Sequence, residues 1–182
     1  MVNFRLVKSG VDVRPILADL DRCPGIWNEQ IGRQRVSVQR EARAVPIRGL
    51  RKSCIRGRPR RDVHESRFTT LSRRVPHAVA FIRAFAAEVG GELSRAKIVS
   101  LPPGHRVYPH RDRGDYYAER DRYHLCLRSE GSLLRCGDEE VRMKPGELWW
   151  FDNKEEHEAY NDTGSDRVHL IFDLRPIASA ER

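Results

Sequence analysis

Long apolar runs are missing from this 182-residue chain, and their absence removes one class of protein at the outset. No stretch approaches the ~20 consecutive apolar residues that a membrane-spanning helix needs. The opening, MVNFRLVKSGVDVRP, has no apolar core of the kind an export signal carries. A cytoplasmic protein with no membrane partner is therefore expected. Cysteine is scarce as well: Cys23, Cys54, Cys126 and Cys136 form no CxxC pair and show no zinc-ligand spacing. Reduced thiols are expected, and a disulfide scaffold is not. Cys126 and Cys136 are expected to face each other across a hairpin turn at Glu130-Gly131-Ser132. Lysine is rare for so basic a chain, at 5 of the 34 basic residues, with arginine making up the other 29.

That basic excess, a formal net charge of +8, raises the question of a polyanionic partner. The densest run is RGLRKSCIRGRPRR, from Arg48 to Arg61, with seven basic side chains and no acid. Such a run can hold phosphates. It is not interleaved with the aromatics on which a single strand stacks, so a solvated loop or a lip for an anionic substrate is the stronger reading. Nucleic acid is not the expected partner.

Hydrophobic residues make up 39% and charged residues 33% of the chain, a polar balance still compatible with a folded core. The length suits one domain burying roughly 70% of its unfolded surface. Asp12 to Leu20 carries Val13, Ile16, Leu17 and Leu20 at helical spacing. Arg35 to Leu50 holds short alternating segments, RVSVQ and AVPIRGL, that predict edge strands around a proline. Pro76 to Val89 is the best helix, with proline at its start, an apolar stripe through Val79, Ile82, Phe85 and Val89, and Gly90-Gly91 as a stop. After Gly91 the texture changes. AKIVSL, HRVYPHRD, RYHLCLRS, SLLRCG, EVRMK, GELWWFDN, HEAYN and RVHLIFDL follow at close intervals, separated by turn residues. Eight short strands with no intervening helix predict a mainly β fold, a jelly-roll or cupin-like barrel, under a small N-terminal helical cap. Residues 1–95 would supply the helices and edge strands, and residues 96–176 the barrel core of one domain.

Chemistry concentrates in that barrel. His110 and Asp112 lie two apart, so a strand would project both to one face. His157 in EEHEAYN offers a third ligand from a distant strand. Two imidazoles and a carboxylate make the facial triad of non-haem iron(II) oxygenases. The spacing alone is weak, since a strand-end pair with Arg111 or Arg113 would look the same. Arg167 opens the last apolar strand ten residues after His157, and an arginine facing a pocket needs an anion to fork. Together these four residues fit a site that chelates 2-oxoglutarate at iron and holds its distal carboxylate with Arg167.

The run from Ile98 to Pro176 resembles the aspartyl/asparaginyl β-hydroxylase family of Fe(II)/2-oxoglutarate dioxygenases, which includes bacterial proline cis-hydroxylases. LPPGHRVYPHRD, RYHLCL, KPGELWWFDNKEEHEAYN and DRVHLIFDLRP carry the resemblance, in that order. It implies a double-stranded β-helix, with Fe(II), 2-oxoglutarate and O2 as cofactor and cosubstrates. His110 and His157 match the iron ligands, and Asp112 stands where the proline hydroxylases have their acidic ligand. In the animal aspartyl hydroxylase that place lacks a carboxylate. Arg167 matches the arginine on the distal carboxylate, His124 a histidine touching the cosubstrate, and Arg122 an arginine close to the substrate. Val99 falls where the animal enzyme has a serine on 2-oxoglutarate, and the adjacent Ser100 has the wrong strand parity to replace it.

The resemblance implies hydroxylation of a C–H bond in an amino acid or an aspartyl/asparaginyl-type residue, with release of succinate and CO2. The many arginines point to an anionic small molecule or peptide, and Arg113 to Asp121 is the expected specificity loop. The chain ends at Arg182, soon after the last strand, so an added C-terminal substrate domain is not expected. Two other readings stay open, a non-catalytic cupin-like binding module and a nucleic-acid-binding protein using the Arg48 to Arg61 run. Among the remaining polar residues, His169 is expected to be a core histidine, Asp173 a strand-end partner, and His64 and His105 loop histidines. One of Trp149 and Trp150 should face the core and the other outward.

Overall fold

A strand buried on both faces reads as an unbroken apolar run, and RVHLIFDL becomes the central strand β11 (Arg167–Pro176), buried from Arg167 to Leu174. Its even residues, Val168, Leu170, Phe172 and Leu174, pack against helices, while Ile171 packs in the opposite core. The computed structural model describes residues 1–50, 57 and 59–177. Around β11 lie β1 (Phe4–Lys8), β2 (Arg43–Leu50), β3 (Ser66–Phe68), β4 (Gly91–Leu101), β6 (Asp121–Arg128) and β9 (Leu148–Phe151). They form a seven-stranded sheet in the order β1-β9-β6-β11-β4-β2-β3. A second sheet has the order β5-β10-β7-β8, from β5 (Arg106–His110), β7 (Leu133–Cys136), β8 (Glu139–Arg142) and β10 (His157–Tyr160). All the pairings described are antiparallel. Two facing antiparallel sheets with helices on the outside of one make the expected mainly β jelly roll.

Two cores hold this arrangement. Between the larger sheet and the helices lie Ile82, Phe85, Ile98, Leu125, Leu170 and Phe172 among others. Between the two sheets lie Val99, Leu101, Cys126, Leu134, Phe151 and Ile171. The helices are α1 (Arg14–Asp21), α2 (Pro76–Glu88) and the single turn α3 (Asp115–Ala118). Helix α2 starts at Pro76, which forgoes an amide hydrogen that a first turn leaves unpaired in any case. It stops at Gly90, whose φ of 65° lies where a side chain is disfavoured. Among the described residues no helix is long and apolar enough to cross a membrane.

Two expectations fail. RVSVQ is not a strand: residues Gly32–Arg35 and Ser37–Gln39 form 3-10 turns, with Val36 44% exposed. Only two apolar residues alternate there, too few to anchor an edge, and β3 occupies that edge instead. Cys126 and Cys136 are not hairpin partners, because the turn at residues 130–132 carries the chain from one sheet to the other. Both cysteines are buried free thiols, as is the half-buried thiol of Cys23 free, and Cys54 lies outside the described residues. Pro46 does sit within β2, where a missing amide is tolerated. Strand β3 pairs only with residues 48–50, so β2 is an edge at Pro46.

Candidate active site

The register of the smaller sheet brings the first two donors together. On β10, His157 lies directly opposite His110 at the end of β5, with ring centroids 4.3 Å apart. Asp112 follows two residues later, its backbone amide donating to the Asn153 carbonyl at 3.0 Å. The three side chains offer ligand atoms that all lie within 4.8 Å of one another. Each is oriented by a second contact. His110 Nδ1 donates to the Tyr108 carbonyl at 2.7 Å and His157 Nδ1 to the Glu155 carbonyl at 3.0 Å, which makes Nε2 the unprotonated ring nitrogen of each. Asn153 Nδ2 donates to Asp112 Oδ2 at 2.9 Å, and Arg122 Nη1 donates to the same oxygen.

Electrostatics set the three groups in the protonation states a metal needs. Burial pushes His157 down to about 4 and lowers His110 as well, so both rings are neutral near pH 7. Burial would raise Asp112, but Arg122, then His157 and Asn153, hold it well below the ordinary carboxylate range. Two neutral imidazoles and one anion on one side of a common point fit Fe(II).

The larger sheet supplies the other wall. Arg167 begins β11 with its side chain 2% exposed. Its Nε and Nη2 are buried with no hydrogen-bond partner, and burial lowers its pKa to about 10. A buried guanidinium left unpaired is costly unless an anion arrives. Arg167 lines one recess together with His110, His157, Arg122 and His124. The unpaired fork suits one carboxylate of a small dicarboxylate placed beside the triad.

The remaining expected residues fall as follows. His124 is buried on the same inward face, with Nδ1 3.4 Å from His169 Nδ1. Burial keeps both rings neutral. Arg122 also faces the recess, but its Nε and Nη2 donate to Asp173 at 2.8 and 3.1 Å and its Nη1 to Asp112. Asp173 is thus an interior clamp and not a strand-end partner. Ser100 points to the outer face and donates to Asp166 at 3.1 Å, so it does not replace the serine missing at Val99. Trp149 and Trp150 lie on opposite faces, both half-buried, with their indole N–H groups on Glu147 and Asp121. His105 is exposed, and His64 sits beside Arg120 and Glu119. In the 113–121 loop, the buried Tyr116 donates its hydroxyl to Asp173 at 3.0 Å, while Tyr117 lines a second recess beyond Arg122. Half of the Arg48 to Arg61 run, residues 51–56 and 58, lies outside the described residues. Arg48 itself bonds the Ser94 and Ser66 carbonyls.

Four site residues escape the sequence reading. Asn153 bonds Asp112, Gln39 Nε2 approaches His110 Nε2 at 3.5 Å, and Arg33 and Lys97 line the recess. The parity of Lys97 with Val99 on β4 could have revealed it. Arg33 and Gln39 come from the 3-10 turns Gly32–Arg35 and Ser37–Gln39 and carried no signal.

Comparisons with known proteins agree with this geometry. A family model described as Aspartyl/Asparaginyl beta-hydroxylase matches residues 61–176. The aspartyl/asparaginyl beta-hydroxylase of Mus musculus is 31% identical over 101 residues, 54% of this chain. That of Homo sapiens is 30% identical over the same length. The match spans 13% of the length of each of these relatives. Among solved structures, a Pseudomonas putida prolyl-4-hydroxylase aligns with a TM-score of 0.57 at 17% identity, covering 98% of this chain and 95% of that one. A viral collagen prolyl hydroxylase from Paramecium Bursaria Chlorella virus-1, solved as a 2OG complex, aligns at 0.58 and 8% identity over 96% and 97%. At such identities the two structures speak for the fold.

Proposed function

The chain belongs to the aspartyl/asparaginyl β-hydroxylase family, and from that premise we propose that it is a 2-oxoglutarate- and Fe(II)-dependent hydroxylase of an amino acid or an aspartyl/asparaginyl-type residue. The observation that carries the reading is the pairing of a pre-oriented His110–Asp112–His157 donor set with an unpaired buried guanidinium, Arg167, in one recess.

In this reading His110 Nε2, His157 Nε2 and an Asp112 oxygen hold Fe(II). When bound, the metal with 2-oxoglutarate and O2 supplies the oxidation of a C–H bond to C–OH, with succinate and CO2 as coproducts. Arg167 forks the distal carboxylate of 2-oxoglutarate, and His124 touches it from β6. Arg122 keeps Asp112 ionised and aimed, and Asn153 fixes the same oxygen from the other side. Phe151, Leu134, Val107 and Ile171 line the recess with apolar surface that excludes water from the reacting atoms.

The test is 2-oxoglutarate turnover to succinate with Fe(II), with and without a panel of free amino acids and aspartyl peptides. Stimulated turnover in the wild type, absent in His157→Ala, is the expected result. Failure of the wild type to bind either Fe(II) or 2-oxoglutarate would overturn the reading.

A further inference from the structure

Arg167 is not the only basic side chain in the recess without an ion-pair partner among the described residues. Arg33 reaches in from the 3-10 turn Gly32–Arg35, and its Nε is buried with no hydrogen-bond partner. Lys97 projects from β4 and lines three adjoining spaces: the iron recess, the recess beyond Arg122, and a groove beside residues 30–39. Arg33 borders the first and third of these. Neither side chain has an ion-pair partner among the described residues. The acids nearest in the site, Asp112 and Asp173, are both held by Arg122. Burial, with repulsion from Arg33 and Arg122, puts the Lys97 amine well below the ordinary lysine range. Two basic groups side by side with no ion-pair partner repel each other in the empty protein, and an anion bound between them relieves that repulsion and favours the protonated Lys97.

We propose that Arg33 and Lys97 form a second anion seat, distinct from the Arg167 seat, that takes the oxyanion of the hydroxylated substrate. The inference rests on the reading above and deepens it by naming a substrate class. The proposal has two seats, one for the cosubstrate on Arg167 and one for a substrate whose carboxylate or phosphate lies on Arg33 and Lys97. The seat is at the mouth, where the groove along residues 30–39 opens into the iron recess. A substrate held there by its anionic group presents a nearby carbon toward His110 and His157. Arg122, by contrast, is neutralised within the protein, so the selective cations are these two.

Isothermal titration of anaerobic protein loaded with Fe(II) and 2-oxoglutarate, using inorganic sulfate as the probe, tests the seat. The wild type should bind one sulfate per chain. Arg33→Gln and Lys97→Met, which lie on separate elements, should each weaken it at least tenfold while leaving Fe(II) and 2-oxoglutarate affinities unchanged. Arg33→Lys, which keeps the charge, should retain most of the binding and controls for misfolding, together with thermal melting of each variant. N-acetyl-L-aspartate and O-phospho-L-serine then compete for the bound sulfate, and the one that displaces it identifies carboxylate or phosphate as the source. No sulfate binding in the wild type, unchanged binding in both charge-removing variants, or displacement by neither competitor would each overturn the proposal. Failure of 2-oxoglutarate to bind would instead overturn the functional reading, and the two failures are read from separate titrations.

Discussion

The two walls of the recess are built on opposite rules. On the smaller sheet every metal donor has a partner behind it: a carbonyl for each histidine, Asn153 and Arg122 for Asp112. On the larger sheet, and on the turn that borders it, Arg167, Arg33 and Lys97 have no ion-pair partner within contact among the described residues. A metal site must be rigid before the metal arrives, since geometry decides which ion stays. An anion site can instead be left electrostatically incomplete, so that the ligand supplies the missing charge and gains affinity from it. The difference separates what the protein orders by itself from what it leaves for ligands to complete.

The largest effect that would break this contrast is loss of the metal. His110→Ala or His157→Ala should abolish stoichiometric Fe(II) binding, measured by metal analysis after desalting. Retention of iron in both variants would show that the paired wall is not a metal site. Next comes Arg167→Ala, which removes a buried charge-assisted fork contributing ~2–4 kcal/mol. The 2-oxoglutarate requirement should rise by roughly 30- to 1000-fold at about 1.4 kcal/mol per tenfold, with iron binding nearly unchanged. Equal affinity in the variant would mean that the unpaired guanidinium has another purpose.

Acid should distinguish the walls as well. With a folded pKa of about 4 against an ordinary 6.5, His157 binds its proton more readily in the unfolded chain. Its contribution to the stability of chelator-treated protein is therefore present above pH 6.5 and lost as pH falls toward 4. The loss amounts to about 3 kcal/mol, at about 1.4 kcal/mol per pH unit. In denaturant melts the wild type should lose about 3 kcal/mol relative to His157→Gln as pH falls through that window; parallel curves would contradict the burial argument. The smallest effect is expected from Arg122→Gln. Iron affinity should drop by roughly 10- to 100-fold because Asp112 loses its guanidinium, and hydroxylation and uncoupled decarboxylation should fall together. A selective loss of hydroxylation alone would return Arg122 to the substrate.

Much of this was legible in the chain. The eight strands after Gly91 and helix α2 show in periodicity because their inward and outward faces differ in polarity, as in β6 with Arg122 and His124 on one face and Tyr123 and Leu125 on the other. His110, Asp112, His157 and Arg167 were legible because metal and carboxylate chemistry restrict both residue type and strand parity. What stayed hidden depends on pairing across distance. The Arg122–Asp173 clamp follows from a register in which those residues face each other 51 positions apart. Arg33 and Gln39 reach the recess from turns with no repeating pattern, and β1 is short with a mostly exposed face.

One chain of contacts ties the loop to the metal end: Tyr116 to Asp173, Asp173 to Arg122, Arg122 to Asp112. The segment read from the sequence as the specificity loop is thereby wired to Asp112, the carboxylate proposed to hold iron. A loop transplanted without its tyrosine would leave Asp173 one donor short, pull Arg122 toward that deficit and loosen Asp112. Selectivity and metal retention are consequently not independent modules in this protein.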